Sequence, residues 1–170
     1  MHAKADKAAR WSWMVFDWAA QPWHTLIVTF IFGPYFVSAI APDAVTGQAI
    51  WGWATGATGI AIALSAPVLG AAADATGPRK PWIAAFGVFY VLGALGLWWA
   101  APDAGSIPIA IAAFVVGLIG AEYAAVFINA MLPDLVEKEA MGRLSGTGWA
   151  IGYAGGVVSL VLVVQDQRGG

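Results

Sequence analysis

Two acids stand where acids are costly. Asp17 and Glu122 fall inside long apolar runs, whereas the other eight of the ten acidic residues lie in loops or tails. A carboxylate within a membrane span costs roughly 2.5–3.5 kcal/mol on insertion scales, so it faces a cavity or a partner. Burial favours the neutral form of a carboxyl group, and a group able to take up and release a proton suits proton coupling or cation binding. Asp17, Gln21 and His24 stand at i, i+4 and i+7, flanked by Thr25, so they share one helix face. Glu122 and Asn129 are likewise seven apart on another run. Thr55, Thr58 and Ser65 give a milder polar face between them in sequence.

The elements that must carry these residues are five apolar runs, at 13–41, 49–73, 82–101, 107–132 and 144–164. The apolar fraction is 60% and the charged fraction 11%, against about 45–50% and about 25% in soluble domains. Each run meets the ~20 residues needed to cross a hydrocarbon core. Helices satisfy their own backbone in lipid and open sheets do not, so the expected fold class is an all-α polytopic membrane protein. The expected organisation is a tail at 1–12, a five-helix bundle at 13–164 and a second tail at 165–170. Pro22 removes a backbone donor inside the first run and predicts a kink near Gln21. Trp11, Trp13, Trp51, Trp53, Trp82, Trp98 and Trp99 cluster near run ends, where an amphipathic ring suits the headgroup boundary.

Orientation follows from the cations. Lys4, Lys7 and Arg10 precede the first run, Arg79 and Lys80 lie in the second loop, and Lys138 and Arg143 in the fourth. The first and third loops, APDAVTGQ and APDAGSIP, carry none, and Arg168 alone lies on their side. By the positive-inside rule the N-terminus is cytoplasmic and the C-terminus outside. The shared APDA reads as common turn chemistry rather than a repeat. The first run is too long for a signal-peptide core and is read as a retained helix. There is no cysteine, hence no disulfide framework or thiolate metal site. No cofactor is expected, and no basic stripe points to nucleic acid.

Two segments are more specific. In the second loop, GAAADATGPRK (70–80), Gly77 permits a tight reversal, Asp74 offers a carboxylate to a helix N-terminus or to Arg79, and Arg79 and Lys80 hold the loop inside. In the fifth run, Gly148, Gly152 and Gly156 repeat every four residues, a small-residue stripe that admits another helix close to the backbone. Gly52, Gly56 and Gly59 form a weaker stripe on the second run.

The second loop resembles the one between helices two and three of the major facilitator superfamily of secondary transporters. Gly70, Asp74, Gly77, Arg79 and Lys80 match that pattern, and Ala75 departs from it where a basic residue is usual. FDWAAQPW (16–23), KPW (80–82), NAMLPDL (129–135) and GRLSGTGWAIGYAGG (142–156) are similar to the vacuole-effluxer-like branch, which includes autophagy-related amino-acid effluxers. The resemblance implies alternating-access export of a small solute, with amino acids and protons as the implied solute and coupling ion. It implies that the loop is a conformational latch, and a multi-pass protein of a bacterial-type inner membrane. Tyr153 follows Gly152 where the antiporter signature has Pro, and the basic motif often seen on the fourth helix is absent; both leave the coupling mode open. Because the superfamily fold has two six-helix bundles around a midplane site, five runs are expected to be the N-terminal portion, with the missing C-terminal helices as partner.

Two other classes stay open on the residues alone. One is a free-standing five-helix scaffold or oligomeric subunit using the glycine stripe. The other is an intramembrane enzyme, against which stands the lack of HExxH, a nucleophile elbow or catalytic aspartates at motif spacing; the expectation is a non-enzyme.

Overall fold

The computed structural model describes residues 7–169. Lys4 lies outside them, as does the placement of the Arg168 side chain. Among the described residues the chain is all helix: α1 (Lys7–Pro22), α2 (Phe32–Tyr35), α3 (Ala44–Thr76), α4 (Lys80–Leu97), α5 (Ile107–Asn129), α6 (Leu132–Leu135) and α7 (Lys138–Gly169). Wider π-helical stretches follow α1 (Trp23–Phe30) and α2 (Phe36–Ile40), and a 3-10 turn (Ala104–Ser106) precedes α5. Five segments are long and apolar enough to cross a membrane: Lys7–Ile40, Ala44–Thr76, Lys80–Leu97, Ala104–Asn129 and Lys138–Asp166. The protein is an all-α, multi-pass integral membrane protein.

Prolines set several of the boundaries. Pro22 has no N–H, so the α form ends there and the chain widens into i→i−5 bonding, closed by Ile31 N–H to Leu26 O at 2.9 Å. Past Tyr35 the same pattern recurs, with Ala41 N–H to Phe36 O at 2.9 Å. Such local π adjustments satisfy the carbonyls that proline deprives of donors in lipid. The expected kink near Gln21 thus takes the form of a widened helix with an irregular residue at Ile31 (φ −120°, ψ −68°). The fourth span ends at Asn129 rather than 132, because Pro133 cannot donate to the Asn129 carbonyl. The fifth helix continues past 164 to Gly169.

The chain divides into two compact units. The first takes the chain up to Ile31 together with the chain from Ile128 onward. Its core is Trp13, Met14 and Leu135, with Ile128, Leu132, Leu144 and Ile151 packed around them. The Trp13 indole N–H donates to the Ile128 carbonyl at 2.8 Å. Trp13 is therefore a core anchor of α1, not the headgroup-boundary ring its position near a span end suggested. Trp11, Trp53, Trp98 and Trp99 are exposed.

The second unit is Phe32–Phe127. Its interior helix is α5, with Ala110, Ala113, Phe114, Gly117, Leu118, Gly120, Ala121, Tyr123, Ala124 and Phe127 all buried. One ring cluster joins Phe32, Phe36, Trp51 and Phe114, with the Trp51 and Phe114 centroids 4.1 Å apart. A second joins Trp82, Phe86, Tyr123 and Phe127. Between the clusters α4 and α5 meet on glycine: a β-carbon at Gly93 would strike the backbone of Gly117 and stand 2.7 Å from the Ala113 carbonyl, and one at Gly120 would stand 2.7 Å from the Phe86 carbonyl.

The two APDA loops do share turn chemistry. Asp43 caps α3 by accepting from Thr46 N–H at 2.9 Å, and Asp103 accepts from Gly105 N–H at 2.8 Å and from the Ser106 hydroxyl at 3.3 Å. The Thr46 amide holds the Asp43 carboxyl below the usual carboxylate range. A depressed folded value means that the stabilisation is present above the ordinary carboxylate range and is lost as pH falls through the lower, folded one. Thr46 amide protection, corrected for intrinsic exchange, is therefore expected to drop on acidification through that range, and Asp43→Asn should flatten the dependence. A Thr46 profile identical in the variant would remove this cap.

Candidate functional site

Asp17 is half-buried on α1, and its carboxylate lies directly over the α-carbon of Gly152 on α7. Gln21 and Thr25 lie over Gly156, the Trp13 ring over Gly148, and the Trp18 carbonyl against Gly155, 2.7 Å from where a β-carbon would stand. Gly148, Gly152, Gly155 and Gly156 are all buried. The small-residue stripe of the fifth span is thus the bed on which the polar face of the first span rests. Each glycine admits a group that any side chain would displace. Pro22 contributes here as well: it denies the Trp18 carbonyl its usual i+4 donor, and Gly155 lets that carbonyl approach α7. Gly155 falls outside the i, i+4 register of the stripe, which is why spacing alone missed it; the paired Gly155–Gly156 was the available signal.

His24 is half-buried two residues past Pro22. Its backbone carbonyl accepts from the Thr29 hydroxyl at 2.8 Å, a π-type spacing. Asn129 is the last residue of α5 and is exposed. Glu122 belongs to the second unit, half-buried on α5 beside Tyr123. The hydroxyls of Tyr123 and Ser65 are hydrogen-bonded to each other, so the polar face foreseen on the second span reaches α5 through Ser65. Thr58 is buried, and the Thr55 hydroxyl donates to the Trp51 carbonyl at 2.8 Å.

The second loop is shorter than the 70–80 expected: residues 70–76 are the last turns of α3, which runs past 73 to Thr76, and the reversal itself is Gly77–Arg79, braced from within. Gly77 closes α3 with φ +87°, a region closed to side-chain-bearing residues at ordinary cost, and its N–H donates to Ala73 O at 3.1 Å. Asp74 takes Arg79 as its partner, Oδ1 to Nη2 at 2.8 Å. A second clasp, which motif reading did not supply, runs from the Trp82 indole N–H to the Thr76 hydroxyl at 3.0 Å. Trp82 in turn stacks near Phe127, with centroids 5.6 Å apart. Gly70 lies within α3 with open space around its α-carbon, and Lys80 begins α4 exposed. An exposed ion pair is worth only about 0–1 kcal/mol, so the geometry suits a loop that holds a shape rather than one that stabilises the fold.

No family model and no solved structure matches the chain. Among curated proteins, it is similar to the uncharacterized MFS-type transporter YxiO of Bacillus subtilis strain 168. The two are 27% identical over 161 residues, covering 90% of this chain and 36% of that protein. The likeness is to an MFS-type transporter. The chain spans about a third of the length of the relative it matches. The five membrane-length helices mark a lipid bilayer as the chain's surroundings.

Proposed function

We propose that this chain is the N-terminal part of a secondary active transporter that exports a small solute by alternating access. Similarity to an MFS-type transporter along 90% of the chain carries this reading. The braced loop at 70–80 and the motifs of the effluxer-like branch support it and favour amino acids as the solute. Asp17 and Glu122 act as the cavity acids for proton or cation coupling, with Gln21, His24 and Asn129 as secondary polar groups. Gly70, Asp74, Gly77, Arg79 and Lys80 form the latch, and Gly148, Gly152 and Gly156 the surface on which α1 seats. The cationic loops favour a cytoplasmic N-terminus in a bacterial-type inner membrane. The remaining helices of the transporter complete the cavity.

The test is flux. The complete protein, reconstituted in vesicles loaded with mixed amino acids, should release one or a few of them when a pH gradient is imposed. No solute released under any gradient would overturn the reading. Within it, Asp74→Asn should slow turnover severalfold and leave solute affinity largely intact, since the Asp74–Arg79 pair joins the last turn of α3 to the residue before α4, away from the polar residues of the spans. A large affinity loss at normal turnover would contradict the latch role.

The open glycine face of α3 favours a second reading. Gly52, Gly56 and Gly59 have nothing within 4 Å of a β-carbon position, leaving room for another helix. In that reading the chain is an oligomeric scaffold without transport of its own. The intact mass in the native membrane separates the two: a species well above 17.7 kDa under denaturing conditions supports the transporter, and one equal to it supports the scaffold.

A further inference from the structure

We propose that the cavity between the start of α1 and the start of α7 is an anion site for the phosphate of an acidic phospholipid headgroup. The cavity is about 180 Å³ and, among the described residues, is lined by two guanidinium-bearing residues, Arg10 and Arg143, and by no carboxylate. The Arg10 Nε is fully buried with no hydrogen-bond partner among the described residues. Buried polar atoms are nearly always satisfied, so such an orphan asks for a ligand or water. Glu139 stands at i−4 from Arg143, the spacing at which a helical ion pair forms, yet among the described residues no such pair is present. Arg10 is half-buried and Arg143 exposed; an anion between two such cations relieves their repulsion, and guanidinium groups match phosphate oxygens in a bidentate fork.

The rest of the lining chooses the source. Thr147 already donates its hydroxyl to the Arg143 carbonyl at 2.8 Å, so the donors left for an anion are the guanidiniums. Met14, Val136 and Leu144 supply an apolar wall beside them. Cations and apolar side chains lining one cavity, at the point where two spans begin, suit a headgroup phosphate with its glycerol and first methylenes better than a free, fully hydrated ion. Basic pockets between helices take lipid headgroups by this chemistry. Neither Arg10 nor Arg143 belongs to the polar face or the latch, so the site stands independently of the transport reading.

The full-length protein in a nonionic detergent should be titrated with short-chain phosphatidylglycerol by native mass spectrometry. Phosphatidylcholine of the same chain length and inorganic phosphate alone serve as comparators. Wild type and Lys7→Gln should retain phosphatidylglycerol, and Arg10→Gln and Arg143→Gln should each weaken it by about tenfold or more. An equal loss in Lys7→Gln means general surface attraction and overturns the site, as does no loss in either arginine variant. Inorganic phosphate binding as tightly as the lipid overturns the lipid assignment. In wild type alone, phosphatidylglycerol should slow amide exchange around Arg10 and around Arg143–Thr147; no slowing there overturns the proposal even if the variants fail to fold.

Discussion

Gly93→Ala is expected to destabilise the protein by about 1–3 kcal/mol or more, the range for forcing volume into a packed interior. The added methyl would meet the Gly117 backbone and the Ala113 carbonyl on α5, and backbone atoms in two facing helices cannot swing aside as a side-chain tip can. Gly87→Ala on the same helix supplies the control, because nothing lies within 4 Å of its β-carbon position. There the substitution only removes glycine's conformational freedom and should stabilise by about 0.4–1 kcal/mol. Unfolding in mild detergent, followed by helicity against denaturant, should move the midpoint in opposite directions for the two variants. A Gly93→Ala midpoint at or above that of the wild type would mean that α4 and α5 do not meet on glycine.

Glu122→Gln carries the largest functional effect. Within the proposed transporter it should abolish the pH dependence of flux, turning a sloped rate profile flat, while the fold survives the isosteric change. The side chain is half-buried on the most buried helix of its unit, beside the Tyr123–Ser65 hydrogen bond. A carboxyl group kept at that depth is costly unless used, and glutamine retains its shape without its proton. Flux that still varies with pH in the variant would remove Glu122 from coupling. The same measurement on Asp17→Asn separates the two acids, which lie in different units of the chain.

What the amino-acid sequence determined by itself was everything local or periodic. Apolar length dictated five spans, because lipid leaves the backbone no choice but helix. Gly77 dictated a reversal, since only a residue without a β-carbon takes φ +87° cheaply. Asp74 and Arg79 were close enough in sequence for their pairing to be foreseen; the APDA loops were legible as common turn chemistry, and the structure supplied its form, Asp43 and Asp103 accepting from amides two or three residues on. The four-residue glycine repeat was legible as a docking surface for some helix.

Only the tertiary structure decided which helix, and that choice altered the meaning of the site. The stripe at Gly148, Gly152 and Gly156 receives Trp13, Asp17, Gln21 and Thr25, so the polar face of α1 is also a packing face. Nothing in the spacing of either span names the other, because partners far apart in sequence are matched by shape and not by period. The meeting of Gly93 with Gly117 escaped sequence reading for the same reason: Ala113, Gly117 and Ala121 repeat every four residues on α5, but such spacing marks a close-packing face without naming its partner. The Thr76–Trp82 clasp and the pairing of Arg10 with Arg143 around one cavity are of this kind too. Composition places such residues in a membrane and near its edge, but the fold alone brings their atoms within reach of one another.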